Sequence, residues 1–187
     1  MRALLRISSG IDMFTERVGQ LIFLIIPVMI GVGVVNAIGR AIGAFIGQTL
    51  VSNRLLETQW YAFSLVFLLG AGYALKYGEH VRVDVFYSTW EPKRKALIDF
   101  LGAVLFLIPF STIIIVVSIP WVSNSWSIWE MSGDPGGLPR YPIKTMVIVC
   151  FVLLIIQGIS EAIKNLAILT GAKDQREEGH HGNDTAV

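Results

Sequence analysis

The chain has 187 residues, of which 53% are hydrophobic and 16% are charged, and its formal net charge is +1. Soluble domains average roughly 25% charged residues, and here the charges fall in short clusters between long apolar runs. A nearly neutral chain without a basic, aromatic-rich patch argues against nucleic-acid binding. The single cysteine, Cys150, cannot form an intrachain disulfide, and we expect it to be a small buried side chain.

Four apolar runs predict four membrane-spanning helices. They cover about residues 18–38, 55–76, 96–122 and 144–164, and about 20 helical residues cross a hydrocarbon core about 30 Å thick. The second run reaches that length only if it starts near Leu55. The runs lack the polar stripe of a soluble bundle helix and the alternation of barrel strands. The predicted fold is therefore an all-α integral membrane protein with four transmembrane helices plus interfacial amphipathic helices, in one domain over residues 1–170.

An amphipathic segment precedes the first span. Its apolar side chains fall on one helical face: Leu4, Ile7, Ile11, Phe14 and Val18. Its polar side chains lie elsewhere: Arg6, Ser8, Asp12 and Glu16. Such a segment is either an interfacial amphipathic helix or a cytoplasmic extension of the first span. The following apolar run is too long for the core of a cleaved signal, roughly 7–15 residues, so we expect it to remain as a span.

Two connecting segments carry more than a simple linker would. Gly39, Gly43 and Gly47 are four apart and share a helical face, which suits either close approach of another helix or a helix end followed by an irregular loop. In the connection after the third run, residues 134–137 predict a turn. The aromatic side chains around that loop are predicted membrane-interface anchors: Trp121, Trp126, Trp129 and Tyr141.

The distribution of lysine and arginine predicts the orientation. Eleven of them lie before the first run, between the second and third, or from the end of the fourth onward, and four lie in the other two connections. Because cytoplasmic segments are enriched in these residues, both termini should be cytoplasmic. The charged tail over residues 171–187, which includes His180 and His181, is predicted to be disordered.

The sequence offers no catalytic or cofactor chemistry. It has no GxSxG, HExxH, Walker or CxxC motif, and only His80 lies near a span, so haem held by two facing histidines is excluded. We therefore expect neither an enzyme nor a bound cofactor or metal. The densest polar cluster, residues 79–84, places His80 and Asp84 one turn apart if helical. It is either an element that contacts a partner or a solvated, self-paired loop.

Polar side chains inside the runs favour structural roles. Asn36 and Gln157 are the deepest and are predicted to form interhelical hydrogen bonds. Ionisable groups lie near the ends of the runs, with Glu57 on the outer side and Asp99 and Glu161 on the inner side. A proton or sodium path through this chain alone would need carboxylates in mid-membrane, and the runs contain none there.

The order of these features resembles the small permease subunit of tripartite ATP-independent periplasmic (TRAP) transporters. The resemblance covers about residues 15–168 and rests on several stretches of sequence: Glu57 to Trp60, Gly70 to Leu75, Gly78 to Asp84, Pro92 to Lys95, Trp129 to Ser132, Gly137 to Pro142, and Gln157. The stretch around His80 is the most specific. The segments 40–54 and 123–136 are longer than in the shortest members of that family.

The resemblance implies a three-part uptake system in a bacterial inner membrane. A periplasmic substrate-binding protein would capture an organic anion, a carboxylate or sulfonate, and the large permease subunit would carry it together with sodium. This chain would be the small scaffold subunit, surrounded by membrane lipids. The candidate contacts with the large subunit are Glu57, Trp60, His80, Arg82 and Asp84, and the candidate contacts with the binding protein are Asp134 and Arg140. The alternative is a stand-alone four-span channel or signalling membrane protein.

Overall fold

A computed structural model describes residues 1–48, 50–78 and 90–171. Four helices account for most of these residues: α1 (Arg2–Ile46), α2 (Asn53–Tyr77), α3 (Pro92–Ser127) and α4 (Tyr141–Leu169). The predicted all-α class is confirmed for this part of the chain. The predicted tail, with His180 and His181, lies outside the described residues, as does the cluster at residues 79–84.

Local sequence signals explain where the helices begin and end. α2 begins after Ser52, whose hydroxyl accepts the N–H of Arg54 at 3.0 Å, and it ends at Gly78, whose φ of +68° favours glycine. α3 and α4 each have a proline in the first turn, Pro92 and Pro142, where the missing N–H has no helical partner in any case. These signals place the ends of α2, α3 and α4 a few residues beyond the apolar runs that predict them.

α4 is the central helix of the bundle. It packs against α1, α2 and α3, while α1 and α2 also pack against each other. The buried positions hold mainly small or polar side chains, and Gln157 is the largest side chain that is fully buried. Large apolar side chains instead point outward from α1 and α3, as Phe106 does with 72% of its surface exposed. This arrangement is typical of helices that pack through small residues and face lipid with large ones.

Three helices, α1, α3 and α4, are long and apolar enough to cross a membrane. α2 has 25 residues, about 37 Å at a rise of about 1.5 Å per residue, but it is not one of the three. Polar side chains at both its ends lower its mean hydropathy. For the same reason, the apolar run reaches the length of a span only when its start is extended to Leu55. The structure confirms the membrane-protein class and leaves the fourth span as a prediction.

α1 settles the two interpretations of the N-terminal segment. It is one continuous helix of 45 residues, about 68 Å long, whereas a bilayer with its headgroups is about 40–45 Å thick. The amphipathic segment is therefore an extension of the first helix, and the structure describes no separate interfacial helix within residues 1–48. Since residues 18–39 contain no charge, the extra length lies mostly in residues 2–17.

The connection after α1 explains the glycine spacing. α1 ends at Gly47, which has a φ of +71°, and the chain then returns along the face that carries Gly39 and Gly43. A Cβ on Gly39 would overlap the Val51 side chain, and one on Gly43 would overlap the backbone carbonyl of Gln48. The close approach that Gly39 and Gly43 allow is made by the chain's own connection, and the helix-end interpretation is confirmed for Gly47.

α3 contains a wide turn. Residues 102–107 are π-helical, and the N–H of Ile108 donates to the carbonyl of Ala103, five residues earlier. Pro109 follows directly; it has no N–H to donate, and its ring conflicts with the carbonyl four residues before it. The π-helical turn accommodates this proline without breaking the helix.

Candidate functional site

The end of the bundle that is predicted to face outward is built around Glu57. Its side chain lies in the first turns of α2 and only 1% of the residue's surface is exposed. One carboxylate oxygen accepts the Ser132 hydroxyl and the other accepts the backbone N–H of Leu138. A buried carboxylate is tolerated when both oxygens are hydrogen-bonded. We call residues 53–61 of α2 and the connection 128–140 together the outer cap.

Further hydrogen bonds hold the connection against α2. Arg54 Nε donates to the carbonyl of Gly136 at 2.7 Å, and the Tyr61 hydroxyl donates to the carbonyl of Pro139 at 2.9 Å. The predicted turn is confirmed, because the N–H of Gly137 donates to the carbonyl of Asp134 at 3.0 Å and Gly136 has a φ of +72°. The connection is therefore a fixed part of the bundle.

Two cations and a carboxylate lie behind this turn. The Lys144 ammonium pairs with the Glu130 carboxylate, and this hydrogen-bonded ion pair holds the pKa of Glu130 below its ordinary value. The Arg140 N–H donates to the Glu130 carbonyl at 2.8 Å, and Arg140 Nη2 lies 3.4 Å from the Ser132 hydroxyl. Arg140 Nε is buried and has no hydrogen-bond partner in the described chain.

The predicted interface anchors gather at this end. The rings of Trp126, Trp129 and Tyr141 form one cluster, with ring centroids 4.5 to 6.3 Å apart. Trp121 lies under the Lys144 ammonium, with 4.5 Å between the nitrogen and the ring centroid. Trp129 has a φ of +47°, which costs energy for a residue with a Cβ. The cluster orients these rings, and their role as membrane anchors stays a prediction.

A second polar cluster joins α1 to α4 at the opposite end, which is predicted to face inward. We call it the inner network, and it comprises Ser8, Asp12, Thr15, Gln157, Ser160, Glu161 and Lys164. The Thr15 hydroxyl donates to Gln157 Oε1 at 2.7 Å, and the Ser160 hydroxyl donates to Asp12 Oδ1 at 2.8 Å. The prediction that Gln157 forms interhelical hydrogen bonds is thus confirmed.

The inner network also contains ion pairs. The Lys164 ammonium lies 2.8 Å from both Asp12 Oδ2 and Glu161 Oε1. One turn further along α1, Glu16 pairs with Lys76 at 2.5 Å and accepts the Tyr77 hydroxyl at 2.7 Å. Asp12 and Glu16 therefore attach one helix to both of its neighbours.

The sequence did not reveal that the polar face of the N-terminal segment packs inward. Ser8 and Thr15 are buried, whereas Leu4, Ile7 and Phe14 are exposed. In a soluble protein the apolar face would be buried, but here the polar side chains pack inward because α4 supplies their hydrogen-bond partners, Ser160 and Gln157. The signal was present as matching spacings of four and seven residues: Ser8, Asp12 and Thr15 on α1, and Gln157, Glu161 and Lys164 on α4.

The predicted contact residues fall into two groups, those at the outer cap and those outside the described residues. Glu57 and Arg140 lie within the outer cap and bond to it, Trp60 is half-exposed beside them, and Asp134 is exposed at the tip of the turn. The other three candidates, His80, Arg82 and Asp84, lie outside the described residues. None of these positions is tested as a partner contact, so each contact stays a prediction.

The structure tests two further predictions, which concern the side chains of Cys150 and Asn36. Cys150 is buried as expected. Asn36 is also buried, but its Oδ1 has no hydrogen-bond partner among residues 1–48, 50–78 and 90–171, so the predicted interhelical bond is not observed for that oxygen. Within the same residues, no group of three or more His, Cys, Asp or Glu side chains could hold a metal ion.

Comparison with known proteins identifies the family. Residues 29–167 match the family described as tripartite ATP-independent periplasmic transporters, DctQ component. No curated protein and no solved structure matches the chain. The family match spans most of the chain, including all of α2, α3 and the outer cap. The chain therefore belongs to the DctQ family, the small membrane components of TRAP transporters.

Proposed function

We propose that this chain acts as the scaffold for the large permease subunit in sodium-driven uptake of an organic anion. The family match carries the proposal, since it covers residues 29–167 and describes a component of a multi-part periplasmic transporter. In this role the chain needs neither catalysis nor a cofactor. The anion, a carboxylate or sulfonate, and the sodium ions would pass through the large subunit.

The use of the polar side chains supports a scaffold role. In the described chain, the carboxylates of Asp12, Glu16 and Glu57 bond to groups on neighbouring helices or on the outer cap. An ion path would need such groups to face an open route across the membrane. Polar groups that are occupied in helix–helix contacts hold the bundle together instead.

We further propose four spans in a bacterial inner membrane, with both termini in the cytoplasm. α2 is long enough to cross, and its end charges are accommodated by the outer cap and by the Glu16–Lys76 pair. This topology puts Arg2, Arg6 and Arg17 inside, as the charge distribution predicts. The outer cap then faces the periplasm, and its exposed Asp134, with Arg140 behind it, would contact the binding protein.

The test is recovery of partners from the native membrane. The chain is tagged, extracted in mild detergent and captured, and co-purifying proteins are identified by mass. We expect one large polytopic subunit in near-equal amount. Recovery of self-oligomers alone would contradict the scaffold role.

The second candidate is a stand-alone channel or signalling membrane protein. Purified chain reconstituted into vesicles tests the channel directly, because a channel conducts without a partner. We expect no ion flux above that of empty vesicles. A reproducible flux that requires the chain would favour the channel over the scaffold.

A further inference from the structure

The connection between α3 and α4 folds as a short hairpin. The N–H of Ser132 donates to the carbonyl of Leu138 at 3.0 Å, and the N–H of Arg140 donates to the carbonyl of Glu130 at 2.8 Å. These bonds pair the two arms in the antiparallel sense. Residues 133–136, which we call the cap tip, are all exposed. An exposed loop tip is usually the most mobile part of a connection, yet this one is bonded to a helix.

The first turn of α2 reaches the cap tip itself. Arg54 Nε donates to the carbonyl of Gly136 at 2.7 Å, and Asn53 Nδ2 donates to the carbonyl of Pro135 at 3.3 Å. The Glu57 carboxylate takes its partners from the arms of the hairpin and not from the tip. The bonds from the first turn are therefore not needed to satisfy Glu57, and their effect is to fix the backbone of the tip.

One arm of the hairpin is also attached two turns further along α2. The Tyr61 hydroxyl donates to the carbonyl of Pro139 at 2.9 Å, one residue after Leu138, whose N–H bonds to Glu57. Side chains from the first three turns of α2 thus set both the position and the direction of the hairpin. A preformed loop binds a partner without the entropic cost of ordering that loop on binding.

The cap tip presents one charged group, the Asp134 carboxylate. The Asp134 backbone is held on both sides, because its carbonyl accepts the N–H of Gly137 at 3.0 Å and its N–H donates to the Ser132 hydroxyl at 3.3 Å. Its side chain is exposed, and no cation in the part of the chain that the structure describes forms an ion pair with it. An exposed carboxylate on a fixed backbone suits a basic side chain on a soluble partner.

We infer that Asn53, Arg54 and Tyr61 are positioning residues that hold Asp134 where it pairs with a basic side chain of the periplasmic substrate-binding protein. The inference rests on the proposed function, because it names the groups that fix a contact proposed there. Loss of a positioning bond lowers the affinity for the binding protein, whereas the association of this chain with the large subunit is retained.

The experiment compares two tyrosines of α2 that each make one hydroxyl bond. Tyr61→Phe removes the bond to Pro139, and Tyr77→Phe, the matched control, removes the bond to Glu16 at the opposite end of the helix. Each variant is purified with the large subunit, and the Kd for the fluorescently labelled binding protein of the same system is measured. We expect Tyr61→Phe to raise the Kd about three- to tenfold, as one lost hydrogen bond does, and Tyr77→Phe to leave it unchanged. Equal Kd values for the two variants overturn the inference.

A double-mutant cycle shows whether Tyr61 acts through Asp134. Asp134→Asn keeps the size of the side chain and removes its charge, so we expect weaker binding and a smaller dependence of the Kd on salt. In the Asp134→Asn background, Tyr61→Phe should change the Kd by less than about twofold, because the positioned charge is already gone. Wild-type affinity of Asp134→Asn, or additive effects in the double variant, overturns the inference.

The same preparations separate this inference from the proposed function. A wild-type complex that contains the large subunit but does not bind the binding protein overturns the inference and leaves the scaffold role standing. A wild-type chain that recovers no large subunit overturns both.

Discussion

Glu57 shows how one side chain fixes a long connection. A carboxylate at the entry of a membrane helix is costly unless it is paired or hydrogen-bonded, and here the Ser132 hydroxyl and the Leu138 N–H supply its partners. These residues lie 75 and 81 positions away along the chain. The sequence could place Glu57 at a helix entry, but the partners of a side chain so distant in sequence follow only from the fold.

Replacing Glu57 by glutamine should weaken the outer cap. The amide keeps one acceptor oxygen but turns its NH₂ group toward a donor, so either Leu138 or Ser132 loses its acceptor. We expect a lower thermal midpoint for purified Glu57→Gln and faster proteolysis between residues 130 and 140. Glu91→Gln, at an exposed helix start, is the matched control. Equal midpoints for both variants would mean that Glu57 does not hold the connection.

Gly19 allows α1 and α2 to approach each other. A Cβ at this position would overlap the ring of Tyr73, whereas a Cβ at Gly31 would meet nothing within 4 Å. We expect Gly19→Ala to lower the free energy of unfolding by about 1–3 kcal/mol, the usual cost of overpacking. Gly31→Ala should be neutral or stabilising by up to about 1 kcal/mol, the helix propensity difference. Unfolding in mixed detergent measures both, and a smaller loss for Gly19→Ala than for Gly31→Ala would contradict this account.

Among the elements, α1 departs most from expectation. The apolar run predicted a span over residues 18–38, but the helix covers Arg2–Ile46. Hydropathy reports the part of a helix that suits hydrocarbon, and it does not report where the helix ends. The sequence showed the amphipathic pattern of residues 4–18 correctly, yet which face packs inward depends on the polar side chains that α4 presents to it.

The α1–α4 contact can be tested by a double-mutant cycle on Asp12 and Lys164. The two groups are 2.8 Å apart in a partly buried setting, so we expect Asp12→Asn and Lys164→Met to couple by about 0.5–3 kcal/mol in unfolding free energy. The control combines Asp12→Asn with Lys144→Met near the opposite end of α4. That pair should be additive within about 0.5 kcal/mol. Additivity in both cycles would show that the ion pair does not join the helices.

The stability of the connection between α3 and α4 should depend on pH through Glu130. Its pKa is lowered in the folded state by the Lys144 ammonium from an ordinary value of 4.5. The stability that this shift contributes is therefore fully present above pH 4.5 and is lost as the pH falls through the lower, folded-state pKa. Thermal midpoints from pH 7 to pH 3 measure the loss. Glu130→Gln should reduce this pH dependence, and an unchanged profile in that variant would assign the loss to other groups.

At the scale of the whole molecule, four helices, their order and the turn at Asp134 follow from the sequence because apolar runs and turn residues are local signals. The arrangement of the helices does not follow. The central place of α4 depends on small and polar residues such as Gln157 and Gly158, which meet α1 and α3 respectively. α2 has the shortest uninterrupted apolar run of the four predicted spans. The structure shows how a charge near its start is accommodated, since the outer cap covers Glu57.

The long separation between Glu57 and its partners also bears on biosynthesis. When α2 leaves the ribosome, neither the Ser132 hydroxyl nor the Leu138 N–H has been synthesised, so the translocon meets a weakly apolar segment with an unsatisfied carboxylate. α2 should therefore settle in the membrane only after the connection at residues 128–140 has emerged. The last helix to be made is also the one against which the other three pack, so packing of the bundle would be completed only once α4 has been synthesised.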